Sequence, residues 1–268
     1  MIDDKNSKSQ KPTACTDPIF LLGITPRSGT AYLSQLLNLH PDCSINEIFE
    51  DYFLYYSDML INYARAVSRR WGTKWCEESN EAICNAIGNG LLTFLTSRIR
   101  DKGKSRLFAK TPSVCNLNFF FKFFPHAQLL ILIRDGRAVA ESYAKGFHCP
   151  LERVARYWAK GARAILEFDR NYKSSPFKYL ILKYEDVFVN LESELTRIFQ
   201  FLDLSTKRYD FEAAANLPIR GSSFFRGNET ESVHWHPVKK LPNLPLSTVS
   251  ITGVDFNTSD LIGSRANI

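Results

Sequence analysis

A chain of 268 residues is long enough for one α/β domain with a substantial core, or for two small domains at most. Hydrophobic residues at 44% and charged residues at 23% are ordinary globular values. The net charge of +6 is dispersed, with no Lys/Arg block, which argues against a nucleic-acid partner and suits a small polyanion such as a nucleotide.

In chain order, residues 1–17 are polar with both charge signs and are expected to form a disordered arm. Pro18 to Gly23 is an apolar run of buried-strand type, and Leu33, Leu36 and Leu37 repeat at helical spacing. Between them, Pro26 and Gly29 break both patterns and force a tight turn. His40 to Glu47 reads as a loop. Ile48 to Trp71 reads as a helix, with Phe49, Tyr52, Phe53, Tyr56, Leu60 and Tyr63 at compatible intervals. Glu81 to Arg98 reads as a second helix, with Ile83, Ile87, Leu91 and Leu95 four residues apart. Residues 48–104 are therefore expected to make a helical cap on the substrate side.

Arg106 to Lys110 is a short strand ending at Thr111-Pro112, and a Phe-rich helix follows to Phe124. Ala127 to Ile133 is a fully apolar strand, followed by helices near Ala138 to Lys145 and Leu151 to Tyr172. Phe177 to Leu182 is another strand, with a helix from the Lys183 cluster to Leu202. From Asp203 regular patterning fades, and residues 241–268 read as an irregular tail. Strands apolar on both faces, alternating with helices, predict an α/β fold over residues 18–240: a P-loop-like parallel sheet sandwiched by helices.

In such a sheet, ligands sit at the carboxyl ends of the strands. Four strands here end in polar clusters: Thr25 to Thr30, Lys110 to Pro112, Arg134 to Arg137, and Lys183 to Asp186. The first is a strand turning sharply into a helix start, where unpaired N–H groups and the positive end of the helix dipole converge on an anion. Gly29 lets the backbone approach, Ser28 and Thr30 offer hydroxyls, and Arg27 offers a planar cation, with Ala31 closing the run. The Lys that follows the second Gly of a nucleoside-triphosphate loop is absent, which argues against a grip on the β and γ phosphates of ATP.

Pro26-Arg27-Ser28-Gly29-Thr30 resembles the 5′-phosphosulfate loop of sulfotransferases that use 3′-phosphoadenosine 5′-phosphosulfate (PAPS). The run from Leu130 through Arg134 to Ser142 resembles the 3′-phosphate motif of the same family, which implies that Arg134 and Ser142 hold that phosphate. The resemblance further implies Tyr184 at the adenine and Lys110 at the transferred group, as in the tyrosylprotein branch. It also places Ser223 and Arg226 in a late segment that closes over the 3′-phosphate. For the catalytic base it implies a Glu shortly after the first helix. Glu47 is the candidate, with Glu50 and His40 as rivals.

The implied activity is transfer of a sulfuryl group from PAPS to a hydroxyl or amine, with no metal. The acceptor is a small molecule, a carbohydrate or a peptide. A P-loop-type small-molecule kinase and a non-catalytic nucleotide-binding protein are the alternative readings. The six cysteines form no Cys-x-x-Cys pair, so reduced thiols are expected rather than zinc or a redox dithiol. No targeting segment or membrane span is visible, so a cytoplasmic place is expected, or the Golgi lumen had an anchor been removed.

Overall fold

A computed structural model describes residues 17–45, 47–71, 76–99, 104, 106–217, 219–220 and 237–238. The main sheet has five parallel strands: β1 (Ile19–Gly23), β2 (Cys43–Ile45), β3 (Arg106–Thr111), β4 (Gln128–Ile133) and β5 (Tyr179–Lys183). Their order is β2-β3-β1-β4-β5. From β1 the chain runs to the edge strand β2, returns to β3 between β2 and β1, then crosses to β4 and β5 on the other side of β1. That reversal opens a crevice at the carboxyl end of β1, where ligands of open α/β sheets bind.

Most strand positions are apolar because both faces of the sheet are covered. Phe20 and Leu22 of β1 and Leu129, Ile131 and Ile133 of β4 enter one apolar cluster. Ile19 and Leu21, with Leu130 and Leu132, enter the other. The first face is covered by α2 (Ser57–Ser68), α3 (Cys76–Ser97), α4 (Phe120–Phe123), α5 (Gly136–Phe147) and α6 (Leu151–Tyr172). The second is covered by α1 (Thr30–Asn38), α7 (Tyr184–Val189), α8 (Leu191–Phe201) and α9 (Phe211–Ala215). Helices α2 and α3 bury Ile61, Ala64, Cys84 and Leu95 in the same cluster as the sheet. The short strands β6 (Ile219–Arg220) and β7 (Pro237–Val238) form an antiparallel pair.

Helix α6 is brought close to the crevice by a glycine. A Cβ on Gly161 would lie 2.8 Å from the Ile24 carbonyl oxygen, so only Gly permits this approach to the end of β1. The same helix buries Trp158, whose Nε1 donates to the Arg134 carbonyl at 3.0 Å and so fixes the chain leaving β4.

Several elements depart from the sequence expectation. The helix expected from Ile48 begins only at Ser57. Asp51 accepts from the Phe53 N–H through Oδ1 at 3.0 Å, a local turn that competes with helix formation. The loop from His40 contains β2, whose three residues pair with the start of β3. The single helix expected before Leu202 is broken at Asn190 into α7 and α8.

The four described cysteine side chains, Cys43, Cys84, Cys115 and Cys149, are free thiols. Among the described residues no helix is long and apolar enough to cross a membrane, and no group of three or more His, Cys, Asp or Glu could hold a metal ion.

Candidate functional site

The loop after β1 is braced from within. The Ser28 hydroxyl donates to the Thr25 carbonyl at 2.6 Å and accepts from the Thr25 N–H at 3.2 Å. Expected to offer a hydroxyl outward, Ser28 is instead fully buried and spent on holding the turn. Arg27 (φ 76) and Gly29 (φ 93) both adopt left-handed conformations, which fold the loop back over the start of α1. A Cβ on Gly29 would lie 2.2 Å from the Tyr184 ring, so glycine is needed both for its φ and for its closeness to the neighbouring strand end.

Helix α1 starts at Thr30 with no side-chain cap and no acidic residue in its first turn. The amides of Thr30 and Ala31 lie beyond reach of any intrahelical carbonyl and present the positive end of the dipole.

Three strand ends meet here. Arg134, after β4, donates from Nη1 to the Arg27 carbonyl at 2.9 Å, and Arg27 Nε donates to Ser142 Oγ on α5 at 2.9 Å. Tyr184, after β5, has the Arg134 guanidinium 4.6 Å from its ring centroid. Arg27, Arg134, Ser142 and Tyr184, scattered over 158 positions, thus form one patch with Gly29. Burial and the neighbouring Arg134 charge pull the Arg27 pKa down to about 10. Two guanidinium groups set side by side at a helix start repel one another, and a polyanion relieves that repulsion.

On the other side of β1 lies Lys110, buried at the end of β3 and in register with Leu21. Its Nζ is 3.2 Å from Glu50 Oε1 and 3.4 Å from the centroid of the Phe49 ring. Burial lowers its pKa, while the charge and hydrogen bond of Glu50 and the charge of Asp51 act the other way. Glu50 also accepts from the Tyr52 hydroxyl through Oε2 at 2.7 Å.

Glu47, the first candidate for the base, is exposed, and its N–H donates to the Arg98 carbonyl. The carboxylate that meets Lys110 is Glu50. His40 lies at the opposite, amino edge of the sheet, three residues before β2, with its ring against Phe199 and Tyr209. Its Nδ1 accepts from the Asp42 N–H at 3.1 Å, its Nε2 meets the Ser205 carbonyl at 3.1 Å, and burial lowers its pKa. Ser223 and Arg226 lie outside the described residues.

The sequence expectation holds Phe49 and Tyr52 only as helix positions and Thr111 only as part of the Lys110 to Pro112 cluster, and gives Asp51 no role. The signal available is the polar pair Glu50-Asp51 inside an aromatic stretch.

Asp51 carries a burial cost. Its Oδ2 is buried with no hydrogen-bond partner, and burial pushes its carboxyl up to about 6 from 3.8, against the hydrogen bonds from Phe53 and Thr111. A folded-state pKa above the unfolded one contributes stability at low pH that is lost as pH rises through about 6. That loss is on the order of 3 kcal/mol. Asp51→Asn is therefore expected to be more stable than the native protein at pH 7, by about 1–3 kcal/mol, with the difference closing near pH 4. Urea unfolding at both pH values checks this, and an equal difference at both would discard the charge as its source.

The sequence model described as "Sulfotransferase family" matches residues 18–208. The protein-tyrosine sulfotransferase 1 of Danio rerio is 26% identical over 200 residues, covering 70% of this chain and 53% of that protein. Protein-tyrosine sulfotransferase A of Caenorhabditis elegans is 27% identical over 198 residues, covering 70% of this chain and 50% of that one. The chain thus spans about half the length of these curated relatives. Among solved structures, the sulfotransferase domain from the Synechococcus PCC 7002 olefin synthase aligns at 22% identity and a TM-score of 0.48, covering 78% of this chain and 80% of that one. The matched span takes in the loop after β1, Lys110, Arg134, Ser142 and all five strands of the sheet, and the chain belongs to the sulfotransferase family.

Proposed function

We propose that this protein transfers a sulfuryl group from PAPS to an acceptor hydroxyl, releasing 3′-phosphoadenosine 5′-phosphate (PAP). The observation that carries the reading is Arg27 beside an uncapped helix start, its carbonyl accepting from Arg134 and its Nε donating to Ser142. That donor set suits a ligand with two separate phosphate groups. The amides of Gly29, Thr30 and Ala31 would hold the 5′ side, Arg134 and Ser142 the 3′-phosphate, and Tyr184 the adenine. When bound, PAPS supplies the activated sulfuryl group. Glu50 takes the acceptor proton at Oε1, and Lys110 carries its charge beside the loop, where negative charge collects as the donor bond breaks.

We take the acceptor to be a tyrosyl hydroxyl of a peptide. The curated relatives are named for protein tyrosine, and Phe49, Tyr55 and Tyr56 stand exposed on the segment that carries Glu50, where a phenol ring can pack.

Thermal unfolding with PAP, AMP or ATP tests the donor half, because stabilisation follows affinity. PAP is expected to raise the melting temperature far more than AMP or ATP. Arg134→Ala should weaken PAP by about tenfold to a hundredfold, the size of a lost charge-assisted hydrogen bond, and barely change AMP. Stabilisation by ATP equal to that by PAP would turn the reading toward a kinase, and equal losses for PAP and AMP would place Arg134 elsewhere than the 3′-phosphate.

A further inference from the structure

The segment between β2 and α2 is strained at one residue. Tyr52 has φ 53, in the left-handed region where a bulky side chain is an outlier. Three hydrogen bonds hold the segment there. The Tyr52 N–H donates to Thr111 Oγ1 at 3.1 Å, the Asp51 N–H donates to the Lys110 carbonyl at 3.2 Å, and the Phe53 N–H donates to Asp51 Oδ1 at 3.0 Å. The end of β3 thus imposes a conformation that the sequence alone would avoid.

The consequence lies two residues back. In a regular helix, residues at i and i+2 point away from each other, and their side chains do not meet. Here the left-handed turn brings the Tyr52 hydroxyl onto Glu50, donating to Oε2 at 2.7 Å, while Oε1 faces Lys110 at 3.2 Å. Each carboxylate oxygen therefore has its own cationic or hydroxyl partner, and both partners are tied to β3.

We propose that Tyr52 is a positioning residue for the base: its hydroxyl holds one oxygen of Glu50 so that the other stays directed at Lys110 and the acceptor. The inference rests on the reading of Glu50 as the base. The groups that face the phenol are Glu50, Tyr55 and Tyr143; Lys110 faces the carboxylate from β3, and Asp51 adjoins it. Burial, then the hydrogen bond to Glu50, push the Tyr52 phenol well above its ordinary pKa, so it remains a donor through the neutral range. Strained backbone of this kind persists where surrounding structure over-determines it, and a shared anchor on the strand that bears Lys110 does so here.

The test is a double-mutant cycle on turnover with PAPS and a tyrosine peptide. Tyr52→Phe is expected to lower kcat by about tenfold, the size of a lost charge-assisted hydrogen bond, with the KM for PAPS and the unfolding midpoint little changed. In the Glu50→Gln background Tyr52→Phe should have no further effect on turnover. Native kcat in Tyr52→Phe, or a tenfold loss that persists undiminished in the Glu50→Gln background, would overturn the proposal while leaving Glu50 as the base. Full turnover in Glu50→Gln would overturn it through its premise.

Discussion

Glu50→Gln is expected to reduce turnover by about a hundredfold to ten-thousandfold, the range for loss of a general base, while binding PAP as the native protein does. The amide keeps the size of the side chain and an oxygen that can face the Tyr52 hydroxyl, so the segment retains its shape. What it cannot do is accept a proton from the acceptor hydroxyl as that oxygen attacks. Glu47→Gln is the discriminating partner, since that residue is exposed and its backbone N–H donates to the Arg98 carbonyl. Its effect on turnover should be less than about threefold, the scale of an ordinary surface substitution. A dead Glu47→Gln with an active Glu50→Gln would transfer the proton step to Glu47 and leave the Glu50–Lys110 pair as a structural contact.

Lys110→Ala is expected to lower kcat by about a hundredfold, with a much smaller change in PAP affinity. A cation placed where charge develops binds the transition state more strongly than the ground state, so its loss appears in kcat rather than KM. Lys110 is rigidly mounted, buried at a strand end with Glu50 on one side and the Phe49 ring on another. The sign of the pH dependence follows from burial, which lowers its pKa from 10.5. Its charge is lost at a lower pH than that of an ordinary lysine, so the basic limb of kcat should fall early. In Lys110→Arg, that limb should move upward, with part of the turnover retained, because guanidinium stays charged. A Lys110→Ala variant with near-native kcat would give the role to Arg27.

Much of the fold could be read from the chain because its signals are local. Strands buried on both faces are apolar at every position, as in Ile19–Gly23 and Gln128–Ile133 apart from its first residue, and helices carry their own periodicity. The turn after β1 is equally local: Pro26 and Gly29 fix it, and the helix start behind it leaves its first amides without a side-chain cap. Arg134 and Ser142 are singled out by the resemblance of the run from Leu130 to Ser142 to the family's 3′-phosphate motif, which is itself a local stretch of chain.

The arrangement around Lys110 is of a different kind. Nothing in Ile48 to Tyr56 distinguishes a helix from an irregular strap, since its aromatic residues fit helical spacing either way. The choice was made by non-local hydrogen bonds, from Asp51 to the Lys110 carbonyl and from Tyr52 to Thr111, each across 59 positions of sequence. Those bonds set which carboxylate meets the lysine, and a shift of three residues replaces Glu50 with Glu47. His40 was beyond local reading for a related reason. The nine residues of α1 carry the chain back to the amino edge of the sheet, so a histidine close in sequence to the loop after β1 ends at the far edge from it. Sequence spacing determines side-chain direction only while the backbone is regular. Where the backbone is irregular, direction is decided by whichever distant groups satisfy its N–H and C=O bonds.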